Sequence, residues 1–323
     1  MHSLEEYARI FARLTRAPRS GADTGDTLKK APHKPLLLLS VLDLFADGAV
    51  QDGRVRLSPD LGDLFQRYWY RVMPPDAIPR IWLPFFHLHN DGDFWQLVAT
   101  PGNERELTTR DALTSLRDLD RLVLYAQLDP DLVMYMTMAE SRTVLRDVLI
   151  QRYFAPATQA RLLEQATINA GAFEYSRTLL APRIAAEALE EYAARPAVRD
   201  QGFRRAVVTA YDHRCAMCGI RILTMDGHAA VEAAHIHAWS ESKNDMPTNG
   251  LALCRLCHWS FDEGLLGADR LRAILVSPYL STQRNIPGHL AQLADRPLFP
   301  PANVQFSPDV TALAWHQRRV FRA

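Results

Sequence analysis

Two Cys-x-x-Cys pairs, Cys215-Ala216-Met217-Cys218 and Cys254-Arg255-Leu256-Cys257, use all four cysteines of the chain. Four thiolates are a tetrahedral donor set suited to a closed structural Zn²⁺ site. The plain alternative is four buried thiols at coincidental spacing. A closed zinc site has no open coordination position, so any reaction must fall to other residues. The candidates lie between and just after the knuckles. His235 ends an apolar, strand-like run, Val231-Glu232-Ala233-Ala234. Asn249 sits in a loop beside Gly250. His258 and Asp262 are four apart, on one face of a helix expected to begin at Cys257. That spacing puts an imidazole beside a carboxylate, as a divalent cation needs. For any one of these histidines alone, a satisfied structural role is the ordinary reading. Their nesting with the knuckles favours chemistry. His237 stays open between the two, and His213 and His228 read as surface residues.

The segment 200–266 resembles the HNH, or ββα-metal, nuclease motif in its order of His235, Asn249 and His258 around the cysteines. The resemblance implies that His235 is the general base that activates water. It makes Asn249 the residue that fixes the loop carrying that base, His258 a ligand of a catalytic Mg²⁺ or Mn²⁺, and Asp262 a second ligand. Many such nucleases carry Asp or His just before the base, where this chain has Ala234. Either the metal has fewer protein ligands, or Glu232 or His237 reaches in. The strings Glu232-Ala233-Ala234-His235-Ile236, Asn249-Gly250-Leu251 and Phe261-Asp262-Glu263-Gly264 resemble a subgroup common in restriction enzymes.

The elements that position these residues are legible in outline. Apolar spacing predicts helices over 4–17, 36–45, 57–70, 110–165, 203–211 and 310–321. Pro35 opens the second, because proline is tolerated in the first turn, and Gly48 closes it. A Pro-rich aromatic stretch from Pro74 to Phe86, then Asp91-Gly92 and Phe94 to Val98, reads as two short strands around a turn. Another piece of strand is expected at Arg272 to Val276. An Ala-rich, polar stretch at 166–200 reads as a helical connector. The fold class is therefore α+β: a mixed helix and strand domain over 1–165, and over 201–323 a ββα-metal domain with a four-cysteine structural zinc site and a tail helix.

Between Arg9 and Lys34 the chain is basic, with Arg16, Arg19, Lys29, Lys30 and Lys34 against only Asp23 and Asp26. Two phrases stand out in this half: His33-Lys34-Pro35-Leu36, and Trp82-Leu83-Pro84-Phe85-Phe86. A helix start carrying His33 and Lys34 favours a phosphate, and the neighbouring cations could track a DNA backbone. The alternative is that the apolar residues are core and the charges a solvated face. These phrases resemble the sulfur-binding domain that precedes HNH domains in type IV restriction endonucleases attacking phosphorothioated DNA. The resemblance implies a sulfur pocket involving Leu83, Pro84 and Phe85, with His33 and Lys34 on the modified phosphate. Lys34 stands where arginine is common.

The chain has 323 residues, enough for about two domains. Its 37 basic and 37 acidic side chains balance, which argues against a generally basic DNA-coating protein but not against a local basic face. The longest apolar run, Leu36 to Leu42, is too short to span a bilayer. Met1 to Ile10 has no signal core, so a cytoplasmic protein is expected. The reading is a phosphorothioate-dependent endonuclease on double-stranded DNA. One active site per chain must make two cuts, which implies a homodimer. The alternatives are an HNH nuclease whose first half reads another DNA modification, and a zinc-stapled DNA-binding protein without activity.

Overall fold

The computed structural model describes residues 2–15, 31–107, 115–181, 191–282 and 285–323. The chain divides into two compact units, Met1–Ala170 with Thr224–His228, and Gly171–Leu223 with Ala229–Ala323. No helix among the described residues is long and apolar enough to cross a membrane.

The first unit is built around α2 (His33–Asp47). Leu36 to Leu39, Val41 and Leu42 cover the helix on every side and are all fully buried, the pattern of a helix enclosed by neighbours. Those neighbours include α3 (Pro59–Val72), α4 (Trp82–His87), α7 (Pro130–Thr137) and α8 (Ala139–Tyr153). Helix α1 (Leu4–Phe11) packs on α7 and α8. Local signals set the helix ends. Ser3 and Glu6 close a capping box on α1, and Ser58 caps α3 ahead of Pro59. Gly48 ends α2 at φ +79°, a left-handed cap. A sheet in the order β1 (Arg54–Val55), β3 (Val123–Leu128), β2 (Trp95–Ala99) is antiparallel throughout. The short α5 (Glu104–Leu107) follows β2.

Two expectations fail here, and both failures have a local cause. Trp82 to His87 is a helix, not a strand. Pro84 is its third residue, where no intrahelical N–H bond is required, so the proline does not break it. The stretch 110–165 is not all helix. The leucine spacing of α6 (Leu116–Leu122) runs without interruption into strand β3, which begins at Val123. The switch shows only in the β-forming Val123 and Tyr125. Helix α1 is also shorter than expected. Leu14 leaves it but stays buried, its N–H donating to Tyr153 Oη at 2.8 Å.

A buried carboxylate ties α2 to its neighbours. Asp43 Oδ2 accepts from Tyr68 Oη at 2.7 Å and from Asn169 Nδ2 at 2.8 Å, and Oδ1 accepts from Arg146 Nη2 at 2.8 Å. Asn169 lies on α9 (Pro156–Leu180).

The second unit includes α10 (Pro196–Ala210). An antiparallel pair follows, β4 (Val231–His235) on β5 (Gly250–Cys254), with Val231 opposite Cys254 and His235 opposite Gly250. The short α11 (Trp239–Ser242) lies between the two strands in sequence, and α12 (Arg255–Asp262) leaves β5 directly. The hairpin β6 (Leu266–Ala268) and β7 (Ile274–Val276) and the last helix α13 (Val310–Arg319) complete it. Only glycine fits at 250, where a Cβ would lie 2.5 Å from Val207 Cγ2 and 3.1 Å from Phe203 Cζ.

Substituting Asp43→Ala strands the half-buried Arg146 guanidinium and two buried hydrogen-bond donors, those of Tyr68 and Asn169. The expected loss is about 3–5 kcal/mol of stability, read as a lower urea midpoint for the intact protein.

Candidate active site and thiol cluster

The sulfurs of Cys215, Cys218, Cys254 and Cys257 all lie within 4.8 Å of one another, and none is in a disulfide. Cys218 Sγ is 3.6 Å from Cys254 Sγ. A tetrahedron with Zn–S near 2.3 Å requires about 3.8 Å between sulfurs, so the cluster fits the ion. The four thiols crowd one another's protons: Cys215 is held down to about 7 by its hydrogen bond with Cys218, while Cys257 is pushed up by Cys215. The cluster joins the turn after α10 to the end of β5 and the first turn of α12. Cys254 is the N-cap of α12, so that helix begins before Cys257.

Asn249 is fully buried. Its Oδ1 accepts from His237 N at 2.9 Å, and its Nδ2 donates to His237 O at 2.9 Å and Asn244 O at 2.8 Å. Its own carbonyl accepts from Ile236 N at 2.9 Å. One residue thus holds the backbone that leaves β4 immediately after His235. The His235 ring lies flat on Phe203, with centroids 3.8 Å apart and planes 9° apart. Its Nε2 is 2.7 Å from Asp245 Oδ1.

His258 lies between two carboxylates. Its Nδ1 is 3.7 Å from Glu232 Oε2, and its Nε2 is 3.5 Å from Asp262 Oδ2. Arg255 Nε lies 3.6 Å from Glu232 Oε1. Along β4, Glu232 and Ala234 share a face by strand alternation. Glu232 therefore brings a carboxylate to the side where Ala234 has none. His237 does not join this group; it stacks on Trp315 with centroids 4.0 Å apart. Two carboxylates flanking an imidazole are a donor set for a hard or borderline divalent cation.

Asp245, Tyr175, Arg199 and Phe203, all close to His235 or its partner, went unnoticed in the sequence. Their spacing carries no motif, because they converge from α9, α10 and the loop after α11.

The residues expected to meet modified DNA are not all displayed. Phe85 is buried against Trp95, centroids 5.2 Å apart, and its carbonyl accepts from Trp95 Nε1 at 2.8 Å. Pro84 is buried as well, so both are core and not the wall of an open pocket. In the helix Trp82–His87, Phe85 lies on the inward face while Trp82, Leu83 and Phe86 stay half-buried. Lys34 is buried in an ion pair with Asp91, whose other oxygen accepts from Thr15 N at 2.7 Å. His33 packs on Trp69, and burial, with the charge of Arg80, holds it down to about 4. It is therefore neutral at pH 7 and offers a phosphate no charge. Arg19, Lys29 and Lys30 lie outside the described residues.

Residues 215–268 match the family model of HNH endonucleases. That segment carries an HNH endonuclease domain. Among solved structures, the chain is similar to a modification-dependent TagI restriction endonuclease. The identity is 21% and the TM-score 0.27, over 36% of this chain and 37% of that one. The chain thus spans about a third of the length of that structure. No curated protein matches the chain.

If zinc holds the thiol cluster together, the purified protein should carry about one Zn²⁺ per chain by elemental analysis. Cys218→Ser should lower that content well below one and lower the melting temperature. A zinc content unchanged by this substitution would count against the assignment.

Proposed function

We propose that this protein is a modification-dependent endonuclease in which residues 201–323 cut DNA, residues 1–165 read a phosphorothioate mark and residues 166–200 connect them. The observation that carries the cutting half is His258 set between Glu232 and Asp262 on the ββα frame of a segment matching HNH endonucleases.

In this reading Glu232, His258 and Asp262 hold a Mg²⁺ or Mn²⁺ ion. When bound, such an ion supplies positive charge for the scissile phosphate and the departing 3′-oxygen. His235 takes a proton from the attacking water. Phe203 fixes the plane of that imidazole, and Asn249 fixes the backbone that follows it. The thiol cluster keeps α12, and with it His258, seated at the end of β5. Cutting both strands needs two such sites, so the working unit is a homodimer or two molecules meeting on DNA.

The reading half rests on the Trp82–Phe86 and His33–Lys34 phrases. Sulfur is larger and less well hydrated than the oxygen it replaces. An apolar edge accepts it, whereas a buried oxygen without a hydrogen bond loses about 1–3 kcal/mol. Leu83, with its half-exposed neighbours Trp82 and Phe86, provides such an edge. Lys34 reaches a phosphate only by exchanging Asp91 for it. Buried Phe85, paired Lys34 and uncharged His33 together favour one second reading: an HNH nuclease whose first unit recognises another DNA modification.

A gel shift separates the two. The first reading expects duplexes bearing a phosphorothioate to bind at least about tenfold tighter than plain duplexes, and Leu83→Asp to erase the difference. Equal affinity would leave the second. In either case, His235→Ala should slow metal-dependent cleavage by about 10²–10⁴-fold while binding persists.

A further inference from the structure

Asp245 is one of the few carboxylates shut inside the second unit, with 4% of its surface exposed. Everything it touches concerns one imidazole and its surroundings. Oδ1 lies 2.7 Å from His235 Nε2. Oδ2 accepts from Tyr175 Oη at 3.0 Å. Arg199 Nε lies 3.6 Å from the same oxygen without a hydrogen bond, while the other arm of that guanidinium, Nη2, pairs with exposed Asp200. The Arg199 guanidinium is itself held over Trp239, 3.6 Å from the ring centroid. Burial and the Asp245 charge push the Tyr175 phenol up, so it remains a donor at any pH at which the protein works.

A carboxylate can only accept, so the ring nitrogen facing it must carry the proton. In the neutral imidazole the other nitrogen, Nδ1, is then left with a lone pair. Among the described residues Nδ1 has no hydrogen-bond partner, and the side chain is 22% exposed. A half-turn about the Cβ–Cγ bond would put Cε1 in place of Nε2 at Asp245, and Phe203, lying flat against one face at 3.8 Å, hinders that turn.

We propose that Asp245 is a positioning residue that fixes His235 as the Nε2–H tautomer and so makes Nδ1 the atom that takes the proton from water. This rests on the reading of His235 as the general base. Tyr175 holds the carboxylate in place, and Asp245 itself touches neither water nor phosphate in the reaction. The proton moves from water to Nδ1, leaving hydroxide to attack phosphorus. The imidazolium so formed is stabilised by the carboxylate already at Nε2. Loss of a carboxylate in this position leaves geometry nearly intact and supplies the wrong tautomer.

The test uses full-length protein with ¹⁵N-labelled histidine, the His235 signals being assigned by their absence in His235→Gln. The wild-type ring, measured at a pH where it is neutral, should show a single Nε2–H tautomer. Asp245→Asn, whose amide can either donate or accept, should lose that single signature. It should cut DNA about 10²–10⁴-fold more slowly, with zinc content and DNA affinity unchanged. An Nδ1–H tautomer in the wild-type protein would overturn the proposal without reference to any variant. So would a wild-type cleavage rate in Asp245→Asn alongside an inactive His235→Ala, which would leave the base assignment standing. Cleavage retained in His235→Ala would instead overturn the base assignment and the positioning role together.

Discussion

Four sulfur atoms within 4.8 Å of one another are the constraint around which the second unit is organised. They come from two places far apart in sequence, the turn after α10 and the junction of β5 with α12. Bringing four thiols together without a cation is unfavourable, because each proton or charge must be accommodated by its neighbours. With a cation the same crowding becomes the binding energy of a closed tetrahedral site. The cluster sits where β5 becomes α12, the helix that carries His258 to within 3.7 Å of Glu232 on the neighbouring strand.

A second layer of control is polar and buried. Asn249 uses its side-chain amide on His237 and Asn244, and its backbone carbonyl on Ile236. Asp245 lies next to Asn244 and turns the other way, toward His235. One short stretch of loop thus holds the backbone after His235 and meets the ring of His235 itself. Buried polar networks of this kind are costly when incomplete and rigid when complete. Here each oxygen of Asp245 has at least one partner, and the Asn249 amide is fully used.

Much of this was legible in the sequence, because the informative residues are local. The cysteine pairs, the order His235, Asn249, His258, and the four-residue step to Asp262 all follow from spacing on one strand, one turn and one helix. Helix α2 announced itself through Leu36–Leu39 and Gly48. What was not legible is what depends on distant convergence. Tyr175 and Arg199 reach Asp245 from separate helices, and no periodicity marks a residue for such a meeting. The strand β3 was hidden because a helical leucine repeat ended one residue before it. Phe85 was misplaced for a similar reason: the phrase reads as extended, whereas it forms a short helix that packs Phe85 on Trp95.

Gly250 has an outcome beyond strand packing. The space a side chain would need there is held by Val207 and Phe203, and Phe203 is the plate on which the His235 ring rests. The attitude of a reactive group is therefore set from below by aliphatic and aromatic carbon, through helix α10. The carbon that occupies the space over position 250 also supports the imidazole, so strand packing and the seating of that ring share one set of interior atoms.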